Sequence, residues 1–248
     1  MENNIKPILQ IESDAVAYQV NHNFYDLPDS NIRVCSLKDV KQLQRDGVIP
    51  PDTQIRIGET LLKSPYDSKY IPIRDYEFVV TKDKINHIAT IAQYLGAISV
   101  DIAAGWANDE ERTVDVNGNV DYKVVNLNGG YKKIDAVDIK SRYQVQMGNM
   151  QGPFNVKTYQ RAIEYAKEHR INDDSDIQSL FRARDICQGL VYGGDRKVTM
   201  EMSNDLNRNL EIAAKLQVMP NIFSLDTSFK EITKNRKIFK IEFIFKFP

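Results

Sequence analysis

The sequence predicts an α+β protein that is predominantly antiparallel sheet, with long amphipathic strands and a helical pair inserted between two strand blocks. Three observations carry this expectation. Apolar and polar residues alternate over 98–104, 137–147, 210–218 and 239–247, the two-residue rhythm of a strand with one covered face. Three-and-four spacing of apolar residues marks helices over 81–95 and again between 155 and 190,. Strand-like and helix-like stretches come in blocks instead of alternating one by one, which separates α+β from a doubly wound fold.

Along the chain, Ile8, Leu9 and Ile11 open an apolar segment that Ala15, Ala17 and Tyr18 to Val20 continue. Residues 21–31, NHNFYDLPDSN, read as a loop by their Asn, Asp, Ser and Pro content,. Ser36 is placed to cap a short helix with Leu37, Val40 and Leu43 on one face, ending at Gly47,. Pro50 and Pro51 exclude helix from the next stretch, and EFVV (77–80) is expected to be a strand. Thr81 then caps a helix carrying Ile85, Ile88, Ala92 and Leu95, which Gly96 terminates,.

The second block begins at Ile98. Asn117-Gly118 is a strong hairpin turn, because both positions accept positive φ, and Asn128-Gly129-Gly130 makes a second turn. Helices are expected over about 155–169 and from Ser175 through Cys187 and Leu190 to a break at Gly193-Gly194. Strands return over 198–202, 210–218, 223–229 and 239–247. A small β-rich region over 1–78, within the same domain or separate from it, and a main α+β domain over 79–248 are the expected organisation.

Composition narrows the function classes. The 33 basic and 34 acidic residues leave a net charge of −1, so nucleic acid is not an expected partner. A local excess over Lys230–Lys246 is the solvated face of a strand, where lysine discourages edge pairing. Cys35 and Cys187 have no motif spacing, the first residues lack an apolar stretch of signal-peptide length, and no run of about eighteen apolar residues occurs,. A reducing, cytoplasmic setting without a transmembrane helix is therefore expected.

No motif for catalysis, cofactor or metal emerges. His22, His87 and His169 have no ligand spacing,. Phosphate-binding glycine loops and the serine elbow are missing. Asp109-Glu110-Glu111 is expected in a solvated loop, and Asp173-Asp174-Ser175-Asp176 as capping and first-turn acid. Cys187 is expected as a small buried hydrophobe, and Arg184 as one half of a structural ion pair. The sequence thus assigns no catalytic residue, no metal ligand and no cofactor.

Two roles emerge, with an enzyme of scattered site residues as a third. The first is a binding or self-assembly protein whose interaction residues are Phe239, Lys240, Phe243, Phe245 and Phe247. On a sheet edge this strand could accept a strand from another chain; in a central position its phenylalanines fill the core. For the second, the element order over 98–247 is similar to that of the amino-terminal pore-forming domain of gasdermins, and more loosely the perforin-like fold. That resemblance implies a protein that is soluble first and perturbs membranes later. Segments 137–147, 210–218 and 239–247 come near the roughly 9–11 residues of a spanning strand.

Overall fold

The computed structural model of the chain describes residues 6–107, 113–114, 120–121, 123–126, 130–133, 154–201, 203–218, 222–223, 225 and 238–248. The chain divides into two compact units, Met1–Val80 with Asn204–Arg236, and Thr81–Ser203 with Lys237–Pro248. The strand expected over 137–147, the Asn117-Gly118 turn, Asn128 and Gly129, the Asp109–Glu111 acids and Lys230–Lys237 lie outside the described residues.

Strand β1, Ile8–Glu12, is buried along its whole length. The apolar segment after it is helix α1, Asp14–Asn21, and not more strand, because the Ser13 side chain accepts from the Val16 amide as an N-cap,. Only Ala17 and Val20 of this helix are buried, one turn apart on its inner face. Strand β2, Ile32–Ser36, returns parallel to β1, with Ile8 opposite Ile32 and Glu12 opposite Ser36. Helix α2, Leu37–Arg45, starts in a capping box in which Ser36 and Asp39 exchange side-chain and backbone bonds,.

Strands β3, Thr60–Lys63, and β4, Tyr70–Pro72, complete a sheet ordered β2-β1-β3-β4. Its β1–β2 pair is parallel, so this sheet is mixed and not purely antiparallel. The cause is local: a helix between two strands forms a crossover, and a crossover returns the chain parallel. Leu9, Ile11, Cys35, Val40, Ile49, Leu61 and Tyr70 form one core on this sheet. On the opposite face of β1, Thr60 Oγ1 donates to Gln10 Oε1 at 2.6 Å and Gln10 Nε2 donates to Glu12 Oε1 at 2.9 Å, all three buried.

Helix α3 runs from Ile73 to Tyr94. The EFVV stretch is therefore helical, and Thr81 is an interior residue, not a cap. Buried Ile73, Tyr76, Val80, Lys84, Ile88, Ile91 and Leu95 continue one stripe at three-and-four spacing,. Gly96 does end the helix, at φ +88°, with Gly96 N–H on Gln93 O and Ala97 N–H on Ala92 O, a Schellman closure.

Strand β5, Ser99–Ala107, is followed by the ladder pairs β6 Thr113–Val114 with β7 Val120–Asp121, and β8 Lys123–Asn126 with β9 Gly130–Lys133, both antiparallel. The pairings bracket the two expected turns. Helix α4, Val156–Glu168, is capped by Asn155, and helix α5 covers Ser175–Ala183. The second helix is shorter than expected. Asp185 accepts from the amides of Cys187 and Gln188, starting a separate 3₁₀ turn that Gly189 closes at φ +74°. Cys187 is exposed there and not on a buried stripe.

Strand β10, Gly194–Glu201, precedes helix α6, Ser203–Ala214, and a 3₁₀ turn, Lys215–Val218. The expected strand over 210–218 is thus helical, which removes one of the candidate spanning strands. Strand β11, Ile238–Phe247, is the centre of an antiparallel sheet ordered β10-β11-β5. Among the described residues, no helix is long and apolar enough to cross a membrane.

Candidate functional site

Within the first unit, helix α1 exposes one stripe made of Asp14, Tyr18 and His22, spaced four residues apart. Tyr18 is 60% exposed. Its ring stacks on that of His22 at 3.9 Å between centroids, and His22 Nδ1 lies 2.8 Å from Tyr18 O. Lys38 at the start of α2 pairs with Asp14 at 2.8 Å, and this carboxylate raises the ammonium pKa. The stripe therefore carries both signs of charge beside its aromatic rings.

The end of α1 sets the direction of the loop beyond it. Asn23 adopts φ 60°, a conformation asparagine tolerates. Asn23 N–H donates to Val20 O at 3.1 Å and Phe24 N–H to Gln19 O at 3.0 Å, the paired bonds of a Schellman motif. In that motif the residue at the Phe24 position usually packs on the one at the Gln19 position. Gln19 is polar and exposed, so Phe24 projects outward with 68% of its surface in solvent, next to half-exposed Tyr25. The far end of the loop is tied down: Asp29 accepts from Asn31 N–H at 2.8 Å and from Lys215 Nζ at 2.5 Å. The Lys215 ammonium holds the Asp29 carboxyl below its usual range. Phe24 and Tyr25 thus sit on a loop anchored at both ends. The sequence signal for this surface was two aromatics inside a polar loop.

The interaction residues expected on the last strand occupy β11, in the second unit. Phe239 and Lys240 pair with Trp106 and Gly105 of β5. Phe243, Phe245 and Phe247 are buried on one face, with the Phe243 and Phe245 rings 5.6 Å apart. Strands β10 and β5 occupy both edges of β11, and the buried Phe243, Phe245 and Phe247 take the core-filling alternative.

Phe247 meets Arg184, just beyond α5. The guanidinium carbon lies 4.6 Å from the Phe247 ring and 4.7 Å from the Phe154 ring, within cation–π range. Arg184 Nε donates to Leu95 O at 3.1 Å and Nη1 to Tyr192 O at 2.8 Å. The Leu95 carbonyl belongs to the open end of α3, where the helix dipole concentrates negative charge. Among the described residues, carbonyls and ring faces, and not the expected carboxylate, hold this arginine. Gly96 is required beside it, since a Cβ would stand 2.9 Å from Phe154 Cβ and 3.1 Å from Arg184 Nη2. Burial, then the charge of Arg196, lowers the Arg184 pKa.

Two further polar groupings join α3 to the later helices. Lys84, buried, reaches Asp174 at 3.3 Å, and Asp174 also caps α5 by accepting from Ile177 N–H. This gives the expected capping acid a second task. His87 Nδ1 lies 2.8 Å from Tyr165 Oη, and the His87 and His169 rings stand 4.1 Å apart. Residues distant in sequence meet here, which spacing alone could not reveal. Among the described residues, no group of three or more His, Cys, Asp or Glu side chains is placed to hold a metal ion. Comparison with protein-family models, curated proteins and solved structures gives no match for this chain.

Proposed function

We propose that the protein works by self-association, one copy docking on another through the aromatic surface at the end of α1. The outward projection of Phe24 from a Schellman turn, on a loop held by Asp29, is the observation that carries this reading. A loop whose backbone is fixed at both ends loses little conformational freedom on docking, and a few large anchor residues supply most of the energy of an interface. Exposed Tyr18 and Tyr25 extend the apolar area around it,. A two-fold contact requires a self-complementary face, and this one carries Asp14, Asp26 and Lys38. The net charge of −1 sets no long-range barrier between copies.

Hydrogen exchange measured at low and at high protein concentration tests the reading. Amides of residues 18–25 gain protection as concentration rises, while those of β1 stay unchanged. Concentration-independent exchange over 18–25 contradicts it.

A further inference from the structure

Among the described residues of the second unit, four large apolar side chains stand in solvent: Ile98, Val156, Val191 and Tyr192. The fold gathers them at one end of the β10-β11-β5 sheet. Gly194 opens β10 opposite Phe247, and Ser99 opens β5 opposite Lys246, so both outer strands begin where β11 finishes. Ile98 lies just before β5, and Val191 and Tyr192 just before β10. Val156 follows Phe154, whose Cβ is 2.9 Å from where a Cβ at Gly96 would stand, two residues before Ile98. The backbone here is fastened. Ile98 N–H donates to Lys246 O at 2.9 Å and Tyr192 N–H to Ala183 O at 3.3 Å. The Tyr192 carbonyl accepts from Arg184 Nη1 at 2.8 Å, and Gly193 lies so close to Pro248 that a Cβ would stand 2.4 Å from its carbonyl oxygen. Even so, Ile98 keeps 69% of its surface in water and Tyr192 keeps 52%.

The charge at this end is positive, although the whole chain carries −1. Along the strands acid and base are matched: Asp195 stands opposite Lys246, and Asp101 and Lys197 both stand opposite Ile244. Beyond the strands, exposed Lys157 adjoins Val156, Arg196 lies 5.4 Å from the Tyr192 ring, and Arg184 holds the Tyr192 carbonyl. Against these three stands Asp185, which accepts from the Cys187 and Gln188 amides. We propose that this end of the sheet docks on an anionic lipid surface, with Ile98, Val156, Val191 and Tyr192 entering the headgroup layer. Separate apolar tips suit a fluid phase that closes around each of them, whereas a protein partner must supply a pocket for every one. Tyrosine favours the headgroup level, and Lys157 and Arg196 beside the apolar tips add attraction to anionic lipid. The contact is peripheral and requires no spanning strand.

Co-sedimentation of the whole chain with phosphatidylcholine vesicles, with and without phosphatidylserine, tests the surface. Wild type is expected to bind the phosphatidylserine vesicles, less at high salt, and to leave pure phosphatidylcholine largely unbound. The double variant Ile98→Ser/Tyr192→Ser weakens this binding about tenfold, the loss of apolar area from the headgroup layer. Both side chains are exposed, and serine at 192 keeps the carbonyl that Arg184 uses, so an unchanged urea midpoint confirms the fold. Arg196→Gln weakens binding about fivefold, the effect of one charge near an anionic surface, and Arg196→Lys restores it. No binding of wild type to phosphatidylserine vesicles, or equal binding by the double variant, overturns the proposal. Self-association that the double variant abolishes, without vesicle binding, makes this end a contact between copies and overturns it too.

Discussion

Lys84 of α3 and Asp174 at the start of α5 meet at 3.3 Å with the ammonium almost wholly enclosed. Asparagine at 174 can still cap α5, because Asn and Asp are equally good N-caps. Asp174→Asn therefore isolates the charge. Leaving a buried ammonium unpaired is expected to cost about 3 kcal/mol. Urea denaturation measures this, and the double variant Lys84→Met/Asp174→Asn recovers most of the loss. A single variant as stable as the wild type contradicts an enclosed pair.

Gly96 has both a backbone and a packing requirement. Alanine there must adopt a positive φ and press on Phe154 and Arg184. Gly96→Ala is expected to destabilise by about 2 kcal/mol. Gly47, also at positive φ but with nothing near its Cβ position, provides the comparison: Gly47→Ala costs about 1 kcal/mol, the backbone part alone. Equal losses at the two positions contradict the close approach of Phe154.

Cys35 gives the fold an alkaline limit. Burial pushes its thiol from an ordinary value near 9 up to about 11, and burial likewise pushes the Tyr70 hydroxyl to about 12. The unfolded chain releases these protons first. Stability is thus intact below pH 9 and declines as pH rises from 9 toward 11 for the thiol, with Tyr70 continuing the loss above 10,. The thiol accounts for a loss of about 3 kcal/mol across that window. Cys35→Val removes the first part of the decline, measured by urea denaturation at stepped pH. Thiol labelling at neutral pH gives one fast cysteine, Cys187, until the chain is unfolded.

Thr81 lies inside α3 with its hydroxyl buried and, among the described residues, without a hydrogen bond. Valine has nearly its shape and no group to desolvate. Thr81→Val is expected to stabilise the protein by about 1 kcal/mol, seen as a higher urea midpoint. A loss of stability contradicts the unpaired hydroxyl.

What the sequence disclosed depended on how local each cause was. The Ser36 N-cap, the Gly96 stop and the alternation of β11 are decided within a few residues, and all were legible. Residues 210–218 misled because LEIAAKLQV fits a period of two and a helix equally. Ala213 and Leu216, buried one turn apart, show that the helical face won, in line with the strong helix propensity of Ala, Leu, Glu and Lys. The start of α3 was hidden because Phe78, Val79 and Val80 form a β-branched and aromatic run, while the stripe that decides the matter, Ile73, Tyr76 and Val80, begins upstream. The Arg184 cage and the His87–His169 contact depend on tertiary pairing that no local pattern encodes. Phe24 was placed in a loop by composition, but only the Schellman bonds show that it points outward.

Sedimentation velocity of wild type and Phe24→Asp over a wide concentration range tests the central claim most directly. The wild type is expected to pass from monomer to dimer as concentration rises, and Phe24→Asp to stay monomeric with an unchanged urea midpoint, since Phe24 contributes no core. A wild type that remains monomeric throughout, or a dimer that Phe24→Asp leaves intact, contradicts docking through this surface.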